Sequence, residues 1–131
     1  MLKKFALTTE RQGLYEITDA VQKAVAESGI HEGICVVYCP HTTGGLTINE
    51  NCDPDVKRDL LLAVGATFPD RADFRHGEGN SHAHLKSMMT GVSLNLIITE
   101  GKLLLGRWQG IYFAEYDGPR TRNYYVKVQG D

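Results

Sequence analysis

Val92-Ser-Leu-Asn-Leu-Ile-Ile-Thr99, then Glu100-Gly101, then Lys102-Leu-Leu-Leu105, is the stretch that decides the fold. An apolar, β-branched run of strand length is closed by a turn dipeptide and answered by a second apolar run. The pattern continues downstream. Ile111 to Tyr116 and Arg120 to Val128 read as two further strands, separated by the break Gly106–Gly110 and the turn Asp117-Gly-Pro119. Hairpins are therefore expected to fill the last third of the chain.

Upstream the apolar period changes. Thr18 is placed to cap a helix carrying Val21, Ala24, Val25 and Ser28, with Gly29 as its stop. Asp53-Pro-Asp-Val56 is the clearest local signal: Asp53 fits the N-cap, Pro54 the first helical position, and Asp55 the first turn. Val56, Leu60 and Val64 then mark its apolar face. Asn80 or Ser81 can cap a third helix running through Leu85, Met88 and Met89 to Gly91. Short strands are read at Leu2–Leu7 and Gly45–Asn49, and a turn at Gln12-Gly13 leads into Leu14–Ile17. Gly33 to Cys39 reads as a continuously buried strand ended by Pro40. Helices early and hairpins late predict an α+β fold with three helices, not a repeating βαβ unit.

At 131 residues the chain is read as one domain. A formal net charge of −2 offers no bulk attraction to nucleic acid or anionic membrane, so neither is expected as a partner. No apolar run approaches the ~20 residues that span a bilayer, and Met1–Glu10 lacks the apolar centre of a signal peptide. Cys35, Cys39 and Cys52 are odd in number and without a CxxC spacing. Four residues apart on a strand, Cys35 and Cys39 would lie about 13 Å apart, too far for a disulfide. Reduced thiols and a cytoplasmic location are expected.

Chemistry concentrates in two polar stretches. His76-Gly-Glu-Gly-Asn-Ser-His-Ala-His84 holds three of the five histidines, and His41-Thr-Thr-Gly-Gly45 opens with a fourth. Imidazole is the usual proton carrier near neutral pH and the commonest metal ligand, so one site built from both stretches is expected. His84 would lie in the first turn of the third helix, among amides suited to an anion. In a helix His82 points about 200° away from His84, so only one of them serves one ion. The expected metal ligands are His41, His76 and His84, holding zinc or magnesium. Glu78, His84 and His41 are candidates for acid–base work, with Glu50 second to Glu78 as base. Thr42, Thr43, Asn80, Ser81 and Arg120 are candidates for phosphate, with Asp117 orienting Arg120. Gly44 and Gly45 suggest exposed amides, although no Walker pattern is present. Trp108 and Gln109 are grouped with Asp117 and Arg120 as a third polar cluster. Arg107, Arg120 and Arg122 do not amount to a nucleic-acid footprint.

His41 to Asn51, Asp53-Pro-Asp-Val56, Glu78-Gly-Asn-Ser81 with Ala83-His84-Leu85, Leu105 to Ile111, and Asp117-Gly-Pro-Arg120 together resemble the YjbQ family, also catalogued as the secondary thiamine-phosphate synthase family. The resemblance runs in order from about residue 5 to residue 128. It implies an α+β fold with antiparallel sheets, assembled as a homotrimer, with a His-rich, sometimes metal-occupied site at or near the subunit boundary. By matching position, that site would comprise His41, His76, Glu78, Asn80, His84 and Arg120. His82 departs from the family pattern, where Asp or a small polar residue is commoner. Cys39 departs too, at a position where a hydroxyl or apolar residue is more usual.

The implied activity is that of a transferase, a weak thiamine-phosphate synthase joining hydroxymethylpyrimidine diphosphate to thiazole phosphate with release of pyrophosphate. A metal-dependent hydrolase using Glu78, or a non-catalytic oligomer binding a phosphorylated ligand or metal, are the competing readings.

Overall fold

The computed structural model describes residues Met1–Asp131. Its elements are β1 (Leu2–Thr9), β2 (Gly13–Glu16), α1 (Thr18–Ser28), β3 (Gly33–Tyr38) and β4 (Gly44–Glu50). There follow α2 (Pro54–Thr67), α3 (Ser81–Thr90), β5 (Ser93–Thr99), β6 (Lys102–Leu103), β7 (Gln109–Glu115) and β8 (Arg120–Gly130). This is the expected α+β class, with three helices and antiparallel pairing throughout.

The strands form a five-stranded sheet ordered β1-β8-β3-β5-β6 and a three-stranded sheet ordered β2-β7-β4. Only β5–β6 is a hairpin within the last third. There β7 and β8 enter different sheets and pair with strands from the N-terminal half. Apolar faces from both sheets and from α1 meet in one core: Val21 and Val25 from α1, Val37 and Val126 from the large sheet, Leu46 and Phe113 from the small one.

Local capping follows the residue chemistry in part. The Asp53 carboxylate accepts the Asp55 amide at 2.9 Å, with Pro54 at the first helical position. Gly29 ends α1 at φ 71°, where a side chain would be strained. Thr18, in contrast, is not the cap of α1. That position is Ile17, and the Thr18 hydroxyl accepts the Ile111 amide at 2.9 Å, tying the helix start to β7.

One burial expectation is corrected. β3 is buried on one face only, with Ile34 and Tyr38 exposed, because a sheet that lays a single face on the core alternates. In α3 the inward residues are Ala83, Lys86 and Ser87, while Met88 and Met89 are 71% and 61% exposed. Packing of α3 is fixed by close backbone approach. The Ser87 hydroxyl donates to the Gly44 carbonyl at 2.6 Å, and a Cβ on Gly45 would lie 2.6 Å from the Gly91 carbonyl oxygen. No helix is long and apolar enough to cross a membrane.

Candidate functional site

The loop leaving β3, the loop entering α3 and the start of β8 converge on a polar cleft of about 280 Å³. His41, Thr42 and Thr43 come from the first, Glu78 and Asn80 from the second with His84 following in the first turn of α3, and Arg120 and Arg122 from the third. The two histidine-bearing stretches thus meet across one cleft. Ser81 is not among its walls, and His76 stands behind His84, the rings 5.4 Å apart and nearly perpendicular.

Arg122 reaches this cleft from a buried residue pair that the sequence did not single out. Arg122 and Glu115 are 3% and 0% exposed. The guanidinium of Arg122 donates Nε–H to Glu115 Oε1 at 2.7 Å and Nη2–H to Oε2 and to the Thr43 hydroxyl, the last at 2.9 Å. Its remaining nitrogen, Nη1, has no acceptor in the protein, and Arg122 walls the cleft. Glu115 is held further by the Thr9 hydroxyl at 2.6 Å and the Asp117 amide at 3.0 Å. Burial alone would raise the Glu115 pKa; the hydrogen bonds from Arg122, Thr9 and Asp117 outweigh it and hold the carboxyl below its ordinary value.

A signal for this pair existed. On β8 Arg122 shares strand parity with inward-facing Tyr124, Val126 and Val128. An arginine at such a position needs a buried acid.

A second pair lies beside it. Arg120 donates to the Asp117 carbonyl and carboxylate, each at 2.8 Å, so Asp117 does orient Arg120. Asp117 also accepts from Asn80 Nδ2 at 2.7 Å, and its pKa is lowered because these bonds outweigh the effect of burial. Asn80 occupies the N-cap position of α3 but its side chain does not cap; it turns to Asp117 and leaves its own Oδ1 buried without a partner.

His41 is constrained most tightly. Its Nε2 accepts the backbone amide of Asn123 at 2.9 Å, and its ring packs edge-on against Phe113. With Nε2 an acceptor, the single proton of the neutral ring must sit on Nδ1. Burial and the Arg122 charge lower the His41 pKa, which favours that neutral form. His41 is an N–H donor here, not a lone-pair donor.

That corrects the three-imidazole metal centre. The Nε2 lone pair of His41 is occupied, His76 lies outside the cleft, and no group of three or more His, Cys, Asp or Glu side chains is placed to hold a metal ion. The donor set does not fit zinc or magnesium ligation by His41, His76 and His84.

Other expectations separate in space. The Gly44 and Gly45 positions are buried in β4 opposite Glu115 and Ala114, so they form no open amide turn. The Glu50 carboxylate accepts the Asp53 amide at 3.2 Å, away from the cleft. Trp108, half exposed, stacks under Arg107 and has no part in the Asp117–Arg120 cluster. His82 Nδ1 is 3.5 Å from Asp70, too long for a good hydrogen bond.

A family model described as UPF0047 protein YjbQ-like matches residues 3–131. The UPF0047 protein MJ1081 of Methanocaldococcus jannaschii is 51% identical over 132 residues, covering 100% of this chain and 96% of that protein. The UPF0047 protein YugU of Bacillus subtilis is 49% identical, covering 99% and 100%. Among solved structures, a YjbQ/UPF0047 family protein of Clostridium acetobutylicum superposes with a TM-score of 0.95 at 52% identity, over 97% of this chain and 99% of that one. A protein of Sulfolobus solfataricus, described as YbjQ-like and of unknown function, gives 0.95 at 32% identity over 100% and 97%.

These findings overturn the expected thiamine-phosphate synthase. The relatives are named only as UPF0047 proteins, one solved structure is described as of unknown function, and the metal centre invoked to neutralise departing pyrophosphate is not formed. The metal-dependent hydrolase falls with that centre. What the matches over residues 3–131 and the shared fold do establish is membership: this chain belongs to the YjbQ-like family of UPF0047 proteins.

Proposed function

We propose that the cleft is a receptor for the phosphate group of a small phosphate monoester. The carrying observation is Arg122, a buried guanidinium that walls the cleft, oriented by Glu115 and Thr43 and with its Nη1 left without a protein acceptor. A guanidinium that cannot swing away is preorganised for an oxyanion. Arg120, steadied by Asp117, supplies a second cation, the neutral His41 ring a donor, and Thr42 a hydroxyl. Thr43 and Asn80 act through Arg122 and Asp117, holding the two cations in place. Glu78 and His84 wall the same cleft and are the groups available for proton transfer.

The test is calorimetric titration of the purified protein with inorganic phosphate. Binding is expected in the wild type and weaker binding in His41→Ala. Glu78→Gln is expected to tighten it a few-fold, because the Glu78 carboxylate opposes an incoming anion. No heat at millimolar phosphate, with folding intact, overturns the reading.

Two further features belong to the same proposal. Cys35, Cys39 and Cys52 are all unpaired, which suits a reducing compartment such as the cytoplasm. A homotrimer, the stoichiometry implied by the family resemblance, is supported by Ile34 and Ile97, which sit directly opposite in register and are 48% and 56% exposed on the outer face of the large sheet, with exposed Tyr38 further along the same face of β3. Sedimentation should give a trimer for the wild type and a smaller species for Ile97→Asp; a wild-type monomer refutes the assembly.

A further inference from the structure

We infer that the ligand of this cleft carries an apolar body next to its phosphate, received by an adjoining depression floored by Met88 and Val92. The inference rests on the phosphate reading and narrows it to phosphate monoesters of hydrophobic alcohols or phenols. The depression, about 420 Å³, shares His41, Thr42 and His84 with the polar cleft, so one molecule can occupy both. The two halves differ in chemistry. The polar cleft has Pro40 as the one apolar side chain in its walls, whereas beyond the two imidazoles the surface passes to Ser87, Met88, Gly91 and Val92.

Helical spacing creates this arrangement. Met88 follows His84 by four residues on α3, so the thioether lies one turn along the same stripe as the imidazole. It is 71% exposed although it stands beside a depression it could close. An unbranched, polarisable side chain adapts to apolar surfaces of varied shape. Gly91, at φ 95°, adds no side chain to fill the space. A polar body such as a sugar or glycerol would find no charged partner past His84. An aryl or branched alkyl group would remove Met88 and Val92 from water.

Calorimetry with three probes tests this on the full chain: inorganic phosphate, phenyl phosphate and glycerol phosphate. Phenyl phosphate is expected to bind roughly tenfold more tightly than inorganic phosphate, the gain from burying a modest apolar area. Glycerol phosphate should show no such gain. Met88→Ser, a change at an exposed position, should erase the phenyl advantage and leave inorganic phosphate binding as it was. Equal affinities for phenyl and inorganic phosphate, a gain that survives Met88→Ser, or preference for glycerol phosphate each overturn the inference while the phosphate site stands. Failure of all three probes to bind removes both.

Discussion

Glu115→Ala is expected to lower the unfolding free energy by about 3–5 kcal/mol, among the largest effects any single substitution would have in this chain. The reason is asymmetric. Glu115 and Arg122 are almost wholly buried, and removing the acid leaves a guanidinium without a counter-charge in the interior, with the Thr9 hydroxyl and the Asp117 amide also losing their acceptor. Urea unfolding at neutral pH measures it; a loss below about 1 kcal/mol would mean that the pair is far better solvated than its burial indicates.

The same residue sets an acid limb. Its carboxyl pKa is depressed in the folded protein. The folded state therefore binds fewer protons than the unfolded chain between the two values. The stabilisation is fully present above the ordinary glutamate value and is lost as pH falls through the depressed one. Wild-type stability should fall in that acidic window, and Glu115→Ala should flatten this component of the fall.

The second large effect is on binding. Arg122→Met should weaken inorganic phosphate by roughly 10- to 150-fold, the range for a hydrogen bond to a charged group. It also strands Glu115, so stability falls with it. The double replacement Glu115→Leu with Arg122→Met separates the two consequences. Exchanging a buried ion pair for apolar side chains of similar volume is often neutral or stabilising, so the double variant should recover most of the stability and none of the phosphate affinity. Phosphate bound undiminished by a well-folded double variant would show that Arg122 is a structural residue alone.

Much of the site was legible because its residue types are unusual where they stand. Three imidazoles in nine residues, and a fourth after a strand, pointed to two stretches that the structure brings to one cleft. Asp117 beside Arg120 was readable because a four-residue turn keeps them near. The role of each imidazole was not. Whether His41 offers a lone pair or a proton depends on the Asn123 amide, eighty-two residues away. The Glu115–Arg122 pair was written only in strand parity, and its two members sit in different sheets.

Local chemistry in the chain was enough to determine the α+β class, the Asp53–Pro54 helix start, the Gly29 helix stop and the presence of a polar, histidine-rich centre. These depend on interactions within a few residues. Strand partners, the exposed faces of β3 and α3, and the conversion of a supposed metal ligand into a fixed donor were decided by tertiary structure. Sheet pairing and burial are set by which distant segments compete for one core, and a proton is placed by whichever group packs against the ring.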